Sequence, residues 1–213
     1  MKAPRVSYAV MAHPDRDRPS QALSWLLGAV LVVDTDGAGE NATGDLAWEA
    51  ARLRPGPAPD WCVVAQDDAL PVAQIHSAAP AALAHAPSPV VSFYLGTSYP
   101  EHTVAAARVA MLKADEADAA WILSRRLHWG VAVAIRTELV GDMLRTVRRS
   151  RRPYDERISR WAEAAGHKIG YTWPSLVDHA DGESLVRNRR RVKPRIAYRT
   201  GTAASWETSA VRM

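Results

Sequence analysis

The sequence predicts an α/β domain, a largely parallel sheet with helices on both faces, ending in a basic C-terminal extension. Three observations predict it. Short β-branched apolar runs alternate with amphipathic stretches from residue 6 to about residue 165, the signature of βα repeats. The runs stop at polar or Pro/Gly clusters, as strands do at a sheet edge. The 213 residues, 47% of them hydrophobic, suit one unit that buries its own core. We place the domain at residues 1–186 and the basic extension at 187–213.

The elements follow in order. Residues 6–13 (VSYAVMAH) read as a strand that ends at His13-Pro14, because proline disfavours α geometry in the residue before it. Pro19 suits the first turn of a helix whose apolar stripe runs over 21–27. Residues 29–33 (AVLVV) are apolar on both parities, the pattern of a strand buried on both faces, and exit at Asp34-Thr35-Asp36-Gly37. A short helix is expected over 46–53, stopped by Arg54-Pro55-Gly56-Pro57. Residues 61–65 (WCVVA) form a third strand exiting at Gln66-Asp67-Asp68. Helix is expected over 71–84 and 102–113, with a strand over 90–95 between them. Another strand spans 130–135, then helices 137–149 and 154–165, the last closed by Gly166. Beyond Pro174 the periodicity fades. In a parallel sheet the exits His13–Arg18, Asp34–Asp36 and Gln66–Asp68 line one cleft, where such folds bind ligands.

Composition narrows the class. A single Cys62 excludes a disulfide framework and a cysteine zinc site. No run approaches 18 apolar residues and the N-terminus has no signal-peptide pattern, so we expect a cytoplasmic protein with no membrane insertion. The formal charge of +4 is unevenly spread: residues 1–144 carry 11 basic and 16 acidic side chains, residues 145–213 carry 16 and 7. The C-terminal third therefore reads either as a solvated basic face or as the approach to a polyanion. Its clusters include Arg149, Arg151, Arg152 and Arg189, Arg190, Arg191. Arginine outnumbers lysine there and aromatic residues interleave, a pattern compatible with phosphate or nucleic acid.

Asp67-Asp68 is the sharpest chemical signal. Adjacent carboxylates repel, and they persist most readily beside a cation; hard oxygen ligands at a sheet edge suit Mg²⁺ or Mn²⁺. A solvated turn is the plainer reading. His179, beside Asp178 after a short apolar run, is a further ligand candidate, though a lone histidine is more often structural. Asp155-Glu156 opens a helix, where acids are favoured by the helix dipole by roughly 0.3–1 kcal/mol; one of them can alternatively serve as a general base. No GxxxxGK[ST] or GxGxxG motif occurs, which argues against P-loop and Rossmann dinucleotide enzymes; a GxSxG elbow is absent too, and nothing in the sequence supports Ser-His-Asp catalysis.

The order of these pieces resembles the GT-A glycosyltransferases, particularly the small bacteriophage-encoded ones, over roughly residues 6–186. The first strand with Ala12-His13-Pro14 and Arg16 resembles the start of the donor site. VVAQDDA at 63–69 resembles the DxD-type metal motif, with Gln66 where many members have an acid. YDERISRW at 154–161 resembles the segment carrying the working carboxylate, and YTWPSLVDH at 171–179 the segment whose histidine completes the metal site.

The resemblance implies a metal-dependent transfer of a sugar from a nucleotide-sugar, a UDP-sugar first, to a hydroxyl acceptor. It implies Asp68, Asp67 and His179 as metal ligands for Mn²⁺ or Mg²⁺. His13, Arg16, Asp34, Asp36 and Gln66 become donor contacts, and Asp155 or Glu156 the catalytic carboxylate. A 5-hydroxymethylated pyrimidine in double-stranded phage DNA is the first acceptor expected. The alternatives are a protein or saccharide acceptor, or an inactive nucleic-acid-binding relative of the same fold.

Overall fold

A computed structural model of the chain describes residues 2–98, 101–180 and 194–213, with the side chains at 101 and 102 left aside. Ten strands and six α-helices are present among these residues. In chain order they are β1 (Val6–Ala12), α1 (Asp17–Leu27), β2 (Val30–Val33), α2 (Glu40–Arg52), β3 (Trp61–Gln66), β4 (Ala69–Pro71), α3 (Ile75–Ala84) and β5 (Val90–Ser92). Then come α4 (Glu101–Glu116), β6 (Trp121–Ser124), β7 (Ala132–Arg136), α5 (Thr137–Val147), α6 (Tyr154–Ala164), β8 (Ile169–Thr172), β9 (Val177–His179) and β10 (Ala210–Arg212).

Eight strands form one mixed, mostly parallel sheet in the order β10-β6-β8-β5-β7-β3-β1-β2. β1, β2, β3, β5 and β8 run one way, while β6, β7 and β10 run the other. The central strands are near-continuous apolar runs, and Ala9, Val10, Cys62, Val64, Val90 and Val133 are fully or almost fully enclosed, as expected of a sheet covered on both faces.

Several elements depart from the sequence reading. β2 is an edge strand whose four residues are only half-buried, so an apolar pattern on both parities did not mean enclosure. β7 pairs antiparallel with β3 and β5, because residues 125–131 carry no helix and bring the chain back into the sheet from its opposite edge. Residues 71–84 are not one helix: Pro71 ends β4, and α3 starts only at Ile75. β6, β8, β9 and β10 are three or four residues long, too short to show a period. β10, from the extension, pairs with β6 and closes one edge of the main sheet.

Two features of packing position the site. β4 and β9 form a separate antiparallel ribbon with Ala69 opposite His179, and the Ala180 amide donates to the Asp68 carbonyl at 2.8 Å. The ribbon thus carries a histidine from late in the chain to the exit of β3. α6 is docked by its first residue: the Tyr154 ring is held between Gly44 of α2 and Gly130. A Cβ at Gly44 would come within 2.6 Å of that ring, and one at Gly130 within 3.0 Å. The Tyr154 hydroxyl accepts from Trp48 Nε1 at 3.0 Å. Beneath it the buried Arg157 guanidinium bonds Asp45 at 3.0 and 3.4 Å and the carbonyls of Asn41 and Val147.

Candidate active site

Parallel pairing puts three strand exits on one sheet edge. Ala12 lies opposite Val33 and Met11 opposite Gln66, so His13, Asp34 and Asp67 leave the sheet side by side. The polar residues there converge on one guanidinium. Arg16 Nη1 donates to Asp67 Oδ1 at 2.9 Å and to Asp68 Oδ2 at 2.7 Å. Asp67 Oδ2 accepts from the His13 amide at 2.8 Å. His179 Nε2 lies 3.2 Å from Asp68 Oδ2, and its ring is 95% enclosed.

This geometry splits the two carboxyl groups. Burial raises the Asp67 pKa, and the charge of Asp68 adds to the rise; the His13 amide and Arg16 offset only part of it. Burial also pushes Asp68 up, but the His179 imidazole and Arg16 together outweigh it and hold Asp68 below the usual carboxylate range. Two atoms of the cluster have no partner although both are buried: Asp68 Oδ1 and His179 Nδ1. A buried carboxylate oxygen left open costs free energy unless something fills its coordination.

The residues fit a divalent cation in part. Asp68 Oδ1 and His179 Nδ1 are open donor atoms of suitable type. Asp67 has both oxygens occupied by donors of this chain. Among the described residues no group of three or more His, Cys, Asp or Glu side chains stands ready to hold a metal. The counter-charge expected beside Asp67-Asp68 is supplied here by Arg16.

Other sequence candidates are placed as follows. His13 sits at the edge through its backbone, while its Nδ1 accepts from the Asp15 amide at 3.2 Å. The Asp34 carboxylate accepts from the amides of Ala38 and Gly39 at 2.7 and 2.8 Å, so it shapes the loop into α2 rather than facing a ligand. Asp36 is exposed beside Thr35. Gln66 donates from its side chain to Glu40 Oε1 at 3.1 Å, and its amide donates to the Val131 carbonyl at 2.8 Å.

Asp155 lies near Gly130, where a Cβ would come 3.4 Å from Asp155 Cβ, and its Oδ1 accepts from the Glu156 amide at 2.8 Å. Glu156 is turned away: Arg152 at 2.6 Å and Arg160 at 3.3 Å hold it at the surface. Its slight burial would raise its pKa, but the two guanidinium groups keep it lower than usual.

The basic third is less free than its charge implies. Arg148 pairs with Glu49, Arg157 with Asp45 and Arg199 with Asp115, tying the basic segment to the acidic one. Arg152 is committed to Glu156. Arg149 and Arg151 are exposed and make no ion pair among the described residues. Arg189, Arg190 and Arg191 lie outside the described residues.

Sequence reasoning missed Glu40, Tyr94 and Trp129. Glu40 opens α2 three residues beyond Gly37, a first-turn acid that a helix start placed at 46 left in a loop. Tyr94 packs beside His179 with ring centroids 6.1 Å apart and against Trp129 at 6.3 Å, forming an aromatic floor that no local pattern announces. A cavity of about 180 Å³ lined by Arg5, Ser7, Arg54 and three prolines lies at the opposite sheet edge, away from these carboxylates. No helix among the described residues is long and apolar enough to cross a membrane. No protein-family model matches the chain, and no curated protein matches it significantly.

Proposed function

We propose that the chain is a glycosyltransferase that takes a sugar from a nucleotide-sugar and passes it to a hydroxyl acceptor. One observation carries the reading. Arg16, Asp67, Asp68 and His179, drawn from three separate parts of the sequence, meet at the exit edge of β1 and β3. Such an edge is where an α/β sheet receives a nucleotide. Arg16 offers a fork of donors to a diphosphate. Mn²⁺ or Mg²⁺ held through Asp68 and His179 would supply charge neutralisation of the leaving diphosphate. Asp155 accepts the acceptor hydroxyl's proton if the transfer inverts and orients that hydroxyl if it retains. The Tyr94–Trp129 floor excludes water beneath the reacting sugar.

The acceptor we propose first is a hydroxymethylated pyrimidine in duplex DNA, supported by the exposed Arg149 and Arg151 on the turn that leads to Asp155. A specific observation favours a protein or saccharide instead: Arg148, Arg152, Arg157 and Arg199 are already neutralised within the fold. Incubation with a panel of nucleotide sugars, with and without Mn²⁺, tests the transferase reading by nucleoside diphosphate release. No release with any donor, at protein concentrations where a nucleoside diphosphate also fails to raise Tm, overturns it. Mass analysis of hydroxymethylated DNA separates the acceptors.

A further inference from the structure

We propose that the β2 edge of the main sheet is the contact between two copies of this chain, which pair antiparallel across a two-fold axis and continue one sheet through both. The inference is independent of the transferase reading.

The sheet ends differently on its two sides. β10, at one end, is three residues long and finishes on the exposed Arg212. A short strand and a charge are both devices that keep an edge from pairing. β2, at the other end, is Val30-Leu31-Val32-Val33, with neither charge nor proline. The Asp34 amide donates to the Ala12 carbonyl at 3.0 Å, so by alternation Val30 and Val32 turn their backbone groups to β1. Leu31 and Val33 turn theirs outward. The Val33 carbonyl accepts from the Thr35 amide at 2.9 Å. The Leu31 amide and carbonyl and the Val33 amide have no strand opposite them among the described residues.

Apolar side chains widen this edge on both faces of the sheet. β1, β2 and β3 are parallel, and right-handed crossovers set α1 and α2 on opposite faces of them. Trp25, in the last turn of α1, is 86% exposed, and the chain turns from it through Gly28 straight into β2. The Ala29 amide closes that turn on the Ser24 carbonyl at 2.8 Å. On α2, Asp45 and Glu49 face Arg157 and Arg148, which occupies the flank toward α5 and α6. Leu46 and Leu53 lie on the flank left open, 54% and 64% exposed.

Charge selects a second copy as the occupant. A two-fold axis normal to the sheet sets the carboxyl end of each β2 beside the amino end of the other. The carboxyl end leads to the exposed Asp36; the amino end carries the exposed Arg54, whose Nη1 donates to the Gly28 carbonyl at 2.6 Å. Each chain thus holds an acid and a cation at opposite ends of one strand, and the antiparallel pair matches them twice. Parallel copies would set like charge against like.

The test is sedimentation of the full chain with backbone amide exchange read residue by residue. At about 100 μM, where even a weak interface is substantially formed, wild type is expected to sediment at twice the mass of one chain; a monomer there overturns the proposal. On dilution to monomer, the Leu31 and Val33 amides are expected to lose protection while Val32, facing β1, keeps it. A dimer in which Leu31 and Val33 exchange as fast as in the monomer overturns edge pairing. Trp25→Lys with Leu46→Lys is expected to weaken the dimer at least tenfold; an intact dimer overturns the proposal. Leu112→Lys, on the exposed side of α4, is expected to change the affinity less than threefold; an equal loss there means unspecific apolar association and overturns it too. Asp36→Arg and Arg54→Asp should each weaken the dimer, and the two together should restore it; failure of the double exchange to restore overturns the antiparallel arrangement. Should a substituted chain fail to fold, the wild-type exchange pattern decides.

Discussion

Two buried arginine–carboxylate clusters among the described residues, one around Arg157 and one around Arg16, are built differently. Around Arg157, the guanidinium takes both oxygens of Asp45, and Arg148 balances Glu49 alongside, so cations and anions match one for one. Around Arg16, one nitrogen is divided between two carboxylates. The atoms left open differ too: a guanidinium N–H and an amide oxygen beside the first, a carboxylate oxygen and an imidazole nitrogen in the second. The first cluster is closed around its own charges and fastens α6 to α2. The second divides one guanidinium between two carboxylates at a sheet edge, sets His179 beside Asp68 and leaves two buried polar atoms open.

The comparison breaks most visibly if the wrong cluster proves essential for turnover. If the proposed transfer takes place with Asp155 as its base, Asp155→Asn is expected to lower it by about 10²–10⁴-fold, the range for loss of a general base, with Tm nearly unchanged; Glu156→Gln, held at the surface by two arginines, should cost little of either. Arg157→Met should do the reverse. It leaves Asp45 buried without its partner and is expected to cost about 3–5 kcal/mol in urea unfolding. Arg157→Met with full stability would mean that the α2–α6 clamp is dispensable.

What was legible follows from the range of each signal. β1, β3, α5 and α6 were readable because each is a run long enough to show its period, and Gln66-Asp67-Asp68 could be placed at an exit because the strand before it was plain. β6, β8 and β9 were not, since a three- or four-residue strand is fixed by its neighbours rather than by its own pattern. The β4–β9 ribbon was the largest loss, because it alone explains why His179 meets Asp68. The charge asymmetry is plain in the sequence, but the partners of those charges are not. Pairs such as Arg157–Asp45 join positions 112 residues apart, and no sequence window contains both.

Acid titration sharpens the edge cluster itself. The folded pKa of Asp68 is held below its ordinary 3.8, so its ionised form adds stability above that pH and the gain is lost as pH falls through the folded value. Asp67 is raised, so its ionisation weighs against the fold at neutral pH and is relieved as pH falls through its higher folded value. Stability measured from pH 6 to pH 3 should therefore diverge. The advantage of wild type over Asp68→Asn should shrink toward low pH, while its standing against Asp67→Asn should improve. Parallel curves for the two variants would mean that the carboxyl groups are not split.

The smallest effect probes the surface left over once the closed pairs are subtracted. If duplex DNA is the acceptor, only Arg149 and Arg151 among the described basic side chains of the α5–α6 turn are unpaired and exposed enough to meet phosphates. Each phosphate contact contributes about 0.9 to the slope of log affinity against log salt. Arg149→Gln with Arg151→Gln should therefore lower that slope by about 1.8 and weaken binding equally for all sequences. Arg148→Gln, whose charge is spent on Glu49, should leave the slope unchanged, and a slope that drops as far in that variant would show that the paired arginines also face the polyanion. A wild-type affinity indifferent to salt would turn the choice of acceptor toward a protein or saccharide, in keeping with Arg148, Arg152, Arg157 and Arg199 being held by carboxylates of the fold.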